Sequence, residues 1–194
     1  MNKILILFAH PALHKSRVNI RLTEAVKWLN GITFNDLYEN YPDFYIDIKK
    51  EQRLLTEHDV VVWHHPFYWY SCPALLKEWI DLVLEHNFAY GREGKALAGK
   101  KILSVISTGG AAEVYSETGK NRFPISQFLI PFRQTAGLCG MEYLPPFVVH
   151  GSHLLTPPEI EHYAAQYTLL IKGLRDGLFT TQQIEHAVYL NELV

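Results

Sequence analysis

Five apolar runs mark the chain, with amphipathic stretches between them. The first, Lys3-Ile-Leu-Ile-Leu-Phe8, is continuous, as in a central parallel strand covered on both faces. Ile32–Leu37, Asp59–His64, Lys101–Thr108 and Tyr143–His150 follow as strands, and Pro145-Pro146 marks the last as an edge. Between them, Arg17–Leu29 carries Val18, Leu22, Ala25, Val26 and Leu29 on one helical face, and Asn30-Gly31 stops it. Helices are also predicted over Asp47–Glu57, from Pro73 to about His86, over Pro124–Leu138 and from Ile160 to about Leu174. Pro73 falls in a first turn, where a missing N–H is tolerated, and Thr156-Pro-Pro-Glu159 caps the last helix. Tyr38–Tyr45 reads as a loop of aromatics and turn formers. Strands alternating with helices imply a parallel sheet with helices on both faces and right-handed connections. Residues 1–174 then form one α/β domain, and residues 175–194 a tail or short helical arm.

Composition narrows the class. With 194 residues, 48% hydrophobic and 20% charged, the chain suits one packed domain. A net charge of −2 lacks the basic excess of a nucleic-acid binder. Two cysteines, Cys72 and Cys139, give no disulfide framework and point to a reducing cytoplasm. The Ile4–Ala9 run is too short for a membrane span.

Motifs at the strand ends carry the chemistry. No glycine lies between Met1 and Asn30, so the dinucleotide fingerprint G-x-G-x-x-G is missing after the first strand, and G-x-x-x-x-G-K-[ST] is absent throughout. The third strand ends Val62-Trp63-His64-His65, without the acidic residue of a receiver domain. The first strand runs instead into His10-Pro-x-x-x-x-Ser16-x-x-Asn19, which places a hydroxyl and an amide at a helix start, where unpaired N–H groups favour an anion. The simpler role for Ser16 is a helix cap. The third strand exits into Pro66-Phe-Tyr-Trp-Tyr-Ser71, an aromatic wall, and the fourth into Ser107-Thr-Gly-Gly110, whose glycines let amides approach a ligand. All three loops lie at the carboxyl edge of the sheet, where open α/β sheets bind ligands. A phosphate loop, an aromatic wall and an amide-rich loop together describe a flavin mononucleotide site.

The runs Tyr41-Pro-Asp-Phe-x-Ile-Asp47, His65-Pro-x-x-Trp-Tyr-Ser71, Pro73-Ala-Leu-Leu-Lys-Glu-Trp79, Phe88-Ala-Tyr-Gly91 and Leu144-Pro-Pro-Phe147, with the three loops above, carry a family resemblance over about residues 3–172. The chain resembles the flavodoxin-like NAD(P)H:quinone oxidoreductases of the DT-diaphorase type, and among them the ancillary proteins of the Kef glutathione-gated potassium efflux systems. The resemblance implies a flavodoxin-like doubly wound five-stranded sheet of order 2-1-3-4-5, a homodimer, FMN (or FAD through the same loops), and two-electron ping-pong reduction of quinones by NAD(P)H. It also implies a cytoplasmic protein that docks on the inner face of the membrane through a potassium/proton antiporter that it activates. The alternatives are a sensor subunit with little turnover, or a general nitro, azo or quinone reductase without a transporter.

By the same resemblance, His10, Ser16, Arg17, Val18 and Asn19 hold the flavin phosphate. Phe67, Tyr68, Trp69 and Tyr70 contact the ring, and Ser107, Thr108, Gly109 and Gly110 reach its pyrimidine side. Gly109 and Gly110, with Tyr115, are expected to stabilise negative charge there, as an oxyanion hole does. Trp69, Tyr70, Tyr115 and Asn121 are the expected substrate contacts. Asn121 stands where the diaphorases have a histidine, six positions after Tyr115, which puts their proton relay in question.

Other residues read more plainly. His64 and His65 are neighbours on a strand and point to opposite faces, so they do not share a metal, and no ligand spacing for one appears. Cys72, just before a helix, reads either as a redox or glutathione-adduct sensor or, more simply, as a small buried residue. The stripe Leu75, Leu76, Trp79, Ile80, Val83 reads as core or dimer interface.

Overall fold

The computed structural model describes residues 1–194. Six parallel strands form one sheet: β1 (Ile4–Phe8), β2 (Ile32–Asp36), β3 (Val60–Pro66), β4 (Lys101–Ser107), β5 (Glu142–Tyr143) and β6 (Phe147–Val149). Their order is β2-β1-β3-β4-β5, with β6 also paired to β4. β5 and β6 are two halves of the single fifth strand expected over Tyr143–His150. Leu144-Pro145-Pro146 interrupts it because proline has no N–H to give the ladder.

β1 shows why a continuous apolar run is needed. Ile4 and Ile6 pack on one face with Val18 and Leu22 of α1 (Arg17–Val26) and with Ile160, Tyr167 and Ile171 of a long C-terminal helix. Leu5 and Leu7 pack on the other with Leu55 of α3 (Ile48–Glu57) and Leu75, Leu76, Trp79 and Val83 of α4 (Ala74–Val83). The stripe of α4 is therefore core.

Several element boundaries differ from the sequence reading. Asp36 caps a single turn, α2 (Leu37–Asn40), inside the expected loop, its carboxylate accepting from the N–H groups of Tyr38 and Glu39. The helix expected over Pro124–Leu138 is two, α5 (Ile125–Phe128) and α6 (Ile130–Leu138), because the Pro131 ring cannot coexist with an uninterrupted preceding turn. α7 (Pro157–Asp176) starts at the Thr156/Glu159 capping box and ends on Gly177, which takes the left-handed conformation at φ 67. Residues beyond it are not a free tail. α8 (Thr181–His186) and a 3-10 turn over Leu190–Leu193 bury Ile184 and Leu190 against the α1/α7 face.

Register aligns the strand exits. Phe8 pairs with His64 and Pro66 with Ser107, so the loops after β1, β3 and β4 emerge along one edge.

Candidate active site

The loop after β1 reaches α1 through a 3-10 turn, and Ser16 caps the helix. Asn19 is buried beneath it. Its backbone N–H donates to Ser16 Oγ at 3.2 Å, and its Nδ2 donates to Ser16 Oγ at 2.8 Å and to Ser107 Oγ at 2.9 Å. Asn19 Oδ1 lies 3.2 Å from Nε2 of His64, which is fully buried. Burial pushes the His64 imidazole down to about 3, so the ring is neutral and carries one proton. That proton sits on Nε2, because Asn19 Oδ1 can only accept, and Nδ1 is left to accept from the Tyr167 hydroxyl at 3.4 Å. The Asn19 amide thus presents its oxygen to His64 and its nitrogen to the two serines.

The serine hydroxyls consequently accept from Asn19 and keep their own protons to donate. The Arg17 and Val18 N–H groups, in the first turn of α1, have no intrahelical partner. These donors gather at a cleft of about 620 Å³, lined also by His10, Lys15, Phe67, Tyr68, Trp69, Gly109, Ser152 and His153. His10 Nδ1 accepts from the Ala12 N–H at 3.1 Å, so its proton lies on Nε2; burial also lowers its pKa and keeps it neutral. The Arg17 guanidinium is held by Leu155 O at 3.0 Å. Donors and cations without an acid match a dianionic phosphate group.

The aromatic wall is built under strain. Tyr68 and Ser71 bridge as antiparallel neighbours, and the Ser71 N–H donates to Tyr68 O at 2.9 Å. The two residues at the tip, Trp69 (φ 49) and Tyr70 (φ 64), both take positive φ, as in a tight hairpin turn that usually wants glycine or asparagine. Such conformations cost about 1 kcal/mol or more each and gather at functional sites. Here they raise Trp69 to 93% exposure at the cleft mouth. Phe67 is buried below and its N–H donates to Ser107 O at 2.8 Å, which ties the aromatic loop to the loop after β4.

Of the residues expected from sequence, His10, Ser16, Arg17, Val18, Asn19, Phe67, Tyr68, Trp69, Ser107 and Gly109 line the cleft. Tyr70, Thr108, Gly110, Tyr115 and Asn121 form a second group beside it. Tyr70 stacks on Phe128 at 5.2 Å, and its hydroxyl donates to Asn121 Oδ1 at 3.4 Å. Tyr115 meets Phe67 edge-on at 6.0 Å. Burial raises the pKa of its phenol, opposed by the Thr108 hydroxyl. Gly110 is required by protein neighbours rather than by open approach to a ligand: a Cβ there would come 2.7 Å from Val114 Cγ2 and 3.2 Å from the Tyr115 ring. Sequence reasoning missed Lys15, Ser152 and His153 as site residues, and His150 behind them. The last three follow the fifth strand, and the strand-end rule applied there finds them.

Cys72 is half-buried, and burial pushes its thiol up to about 11, which is the opposite of an activated thiolate. His64 and His65 do point to opposite faces: His64 meets Tyr167 and His65 stacks on Phe132.

Residues 2–170 match the family model described as the flavodoxin-like fold. The chain belongs to this family. Within it, the chain is 48% identical over 165 residues to the glutathione-regulated potassium-efflux system ancillary protein KefG of Pectobacterium carotovorum, covering 85% of this chain and 90% of that one. General stress protein 14 of Treponema denticola, solved in complex with FMN, is 39% identical and superposes with a TM-score of 0.85 over 89% of this chain and 99% of that one. An NADPH-quinone reductase from P. pentosaceus is 32% identical, with a TM-score of 0.78 over 86% of this chain and 95% of that one. No helix here is long and apolar enough to cross a membrane.

Proposed function

We propose that this protein is an FMN-dependent NAD(P)H:quinone oxidoreductase. The observation that carries the reading is the pair of serine hydroxyls, Ser16 and Ser107, turned outward by Asn19 beside the free N–H groups of α1 and beneath an exposed aromatic tip. The FMN-bound relative and the NADPH-quinone reductase relative support the same chemistry. The cleft volume, about 620 Å³, lies within the roughly 300–1,000 Å³ of small-ligand sites.

Ser16, Ser107, the Arg17 and Val18 amides and the His10 Nε2–H hold the phosphate. Phe67, Tyr68, Trp69 and Tyr70 flank the ring, and Gly109 and Gly110, with the Tyr115 hydroxyl, hold negative charge on its pyrimidine side. FMN supplies two-electron hydride exchange when bound. Trp69 and Tyr70 offer one face to planar molecules, so nicotinamide and quinone occupy it in turn, and the kinetics are ping-pong. Asn121 orients the Tyr70 hydroxyl but cannot relay a proton as a histidine does.

The likeness to a potassium-efflux system ancillary protein extends the proposal to docking on a Kef-type potassium/proton antiporter, and the resemblance read from the sequence adds a homodimer in the cytoplasm. The test is the visible spectrum of the full chain with FMN under anaerobic NADPH. Bleaching that a benzoquinone reverses supports the reductase. Bound FMN that NADPH leaves unbleached supports a sensor subunit instead, and an absence of FMN binding removes the site assignment.

A further inference from the structure

The loop after β4 and the chain after β6 are one unit. The Thr108 N–H donates to Val149 O at 2.8 Å, the Gly151 N–H to Gly110 O at 2.9 Å and the Ser152 N–H to Thr108 O at 2.9 Å. The Thr108 hydroxyl donates to Gly110 O at 2.7 Å, so its oxygen accepts from His150 Nδ1 at 3.2 Å. The His150 ring touches Tyr115 on one side, with centroids 5.6 Å apart, and Tyr189 on another, at 5.9 Å.

Tyr189 belongs to the C-terminal segment, beyond residue 170 where the family match ends. That segment is anchored by a side chain acting as a strand. Asn191 Oδ1 accepts from the Val148 N–H at 2.8 Å, and Asn191 Nδ2 donates to Val148 O at 3.1 Å. Because Thr108 pairs with Val149, the Val148 main-chain groups face away from β4, and Asn191 satisfies both. Leu190 is fully buried beside it, and its N–H donates to Pro146 O at 2.9 Å.

We propose that the C-terminal segment is part of the site, with Tyr189 and Asn191 as positioning residues that, through His150, set Tyr115 and the Thr108–Gly110 backbone against the flavin ring. This rests on the reductase reading above. Tyr189 is half-buried, packed on the margin of the core where it borders an open cleft, and Asn191 and Leu190 hold the segment without it, so Tyr189→Ala is expected to keep the fold.

The test uses the full chain with ¹³C-labelled tyrosine, the Tyr115 ring resonance being assigned by loss in Tyr115→Phe. In Tyr189→Ala, that resonance moves both with and without FMN, FMN affinity stays within about 3-fold of wild type, and kcat with NADPH and benzoquinone falls about 10-fold, as a small displacement of a reacting group produces. Tyr189→Phe, which keeps the ring, restores both. An unmoved Tyr115 resonance overturns the proposal, as does unchanged turnover, or an FMN affinity that falls in step with turnover. A wild-type chain that NADPH fails to reduce is seen before any variant is compared. It overturns the reductase reading and the catalytic part of this proposal together, while the resonance still decides whether Tyr189 sets Tyr115.

Discussion

Asn19 and His64, 45 residues apart, share a buried 3.2 Å hydrogen bond that decides which way two hydroxyls lining the cleft donate. His64 is neutral because it is fully buried, and its Nε2 proton holds the Asn19 carbonyl. The amide nitrogen is left to fill the acceptor positions of Ser16 and Ser107. A core histidine thereby sets the polarity of an anion site it does not touch.

Asn19→Asp reverses that polarity. A carboxylate accepts where the amide donates, so both serine hydroxyls turn inward and a negative charge is added beneath the phosphate. FMN affinity is expected to fall by about 100-fold, as loss of charge-assisted hydrogen bonds costs about 3 kcal/mol. Fluorescence quenching of FMN on titration with protein measures it. An affinity within a few-fold of wild type contradicts the polarity argument.

Acid weakens the fold through the same core. Burial lowers His64 to about 3 and His65 to about 4, both well below an unfolded histidine. Between those values and about 6.5, the unfolded chain binds protons that the native chain refuses. Stability therefore rises with pH in that window and falls on acidification, by about 1.4 kcal/mol per pH unit for each histidine. Urea midpoints at pH 7 and pH 5 check this, and His65→Gln should flatten the dependence. A midpoint that does not drop at pH 5 refutes it.

The strained tip separates stability from turnover. Trp69→Gly relieves a positive φ and is expected to raise Tm by about 2 °C, the shift of somewhat under 1 kcal/mol in a chain of this size. It also removes the exposed ring, so KM for a planar quinone should rise about 10-fold. Calorimetry and initial rates on the same sample read both. A lower Tm would show that the turn is not strained.

Cys72 is expected to be a poor nucleophile. With its thiol pushed up to about 11 by burial, the thiolate is scarce at neutral pH. Alkylation by iodoacetamide at pH 7.5 should run about 100-fold slower in the native protein than in the urea-unfolded chain. Equal rates would restore a redox-sensing role for this residue.

Much of this was legible in the sequence. The continuous run Ile4–Phe8 can exist only where both faces are covered, and the order of loops at the strand ends located the cleft. The orientation of Asn19 was not legible, because it depends on a histidine brought close only by the pairing of β1 with β3. The opposite facing of His64 and His65 was legible, because neighbours on a strand alternate. The break at Leu129 follows from Pro131 and was readable in principle. The packing of the last residues was not, since Ile184 and Leu190 are too sparse to show a helical period.

The central claim is that Ser16, Ser107 and the start of α1 hold a flavin phosphate, and comparing the affinities of FMN and riboflavin tests it most directly. The two ligands share the ring and differ by the phosphate alone. Calorimetric titration of the full chain is expected to show FMN bound at least about 100-fold more tightly, the worth of two or more charge-assisted hydrogen bonds. Equal affinities would mean that the cleft reads only the ring, and would contradict the account of Asn19.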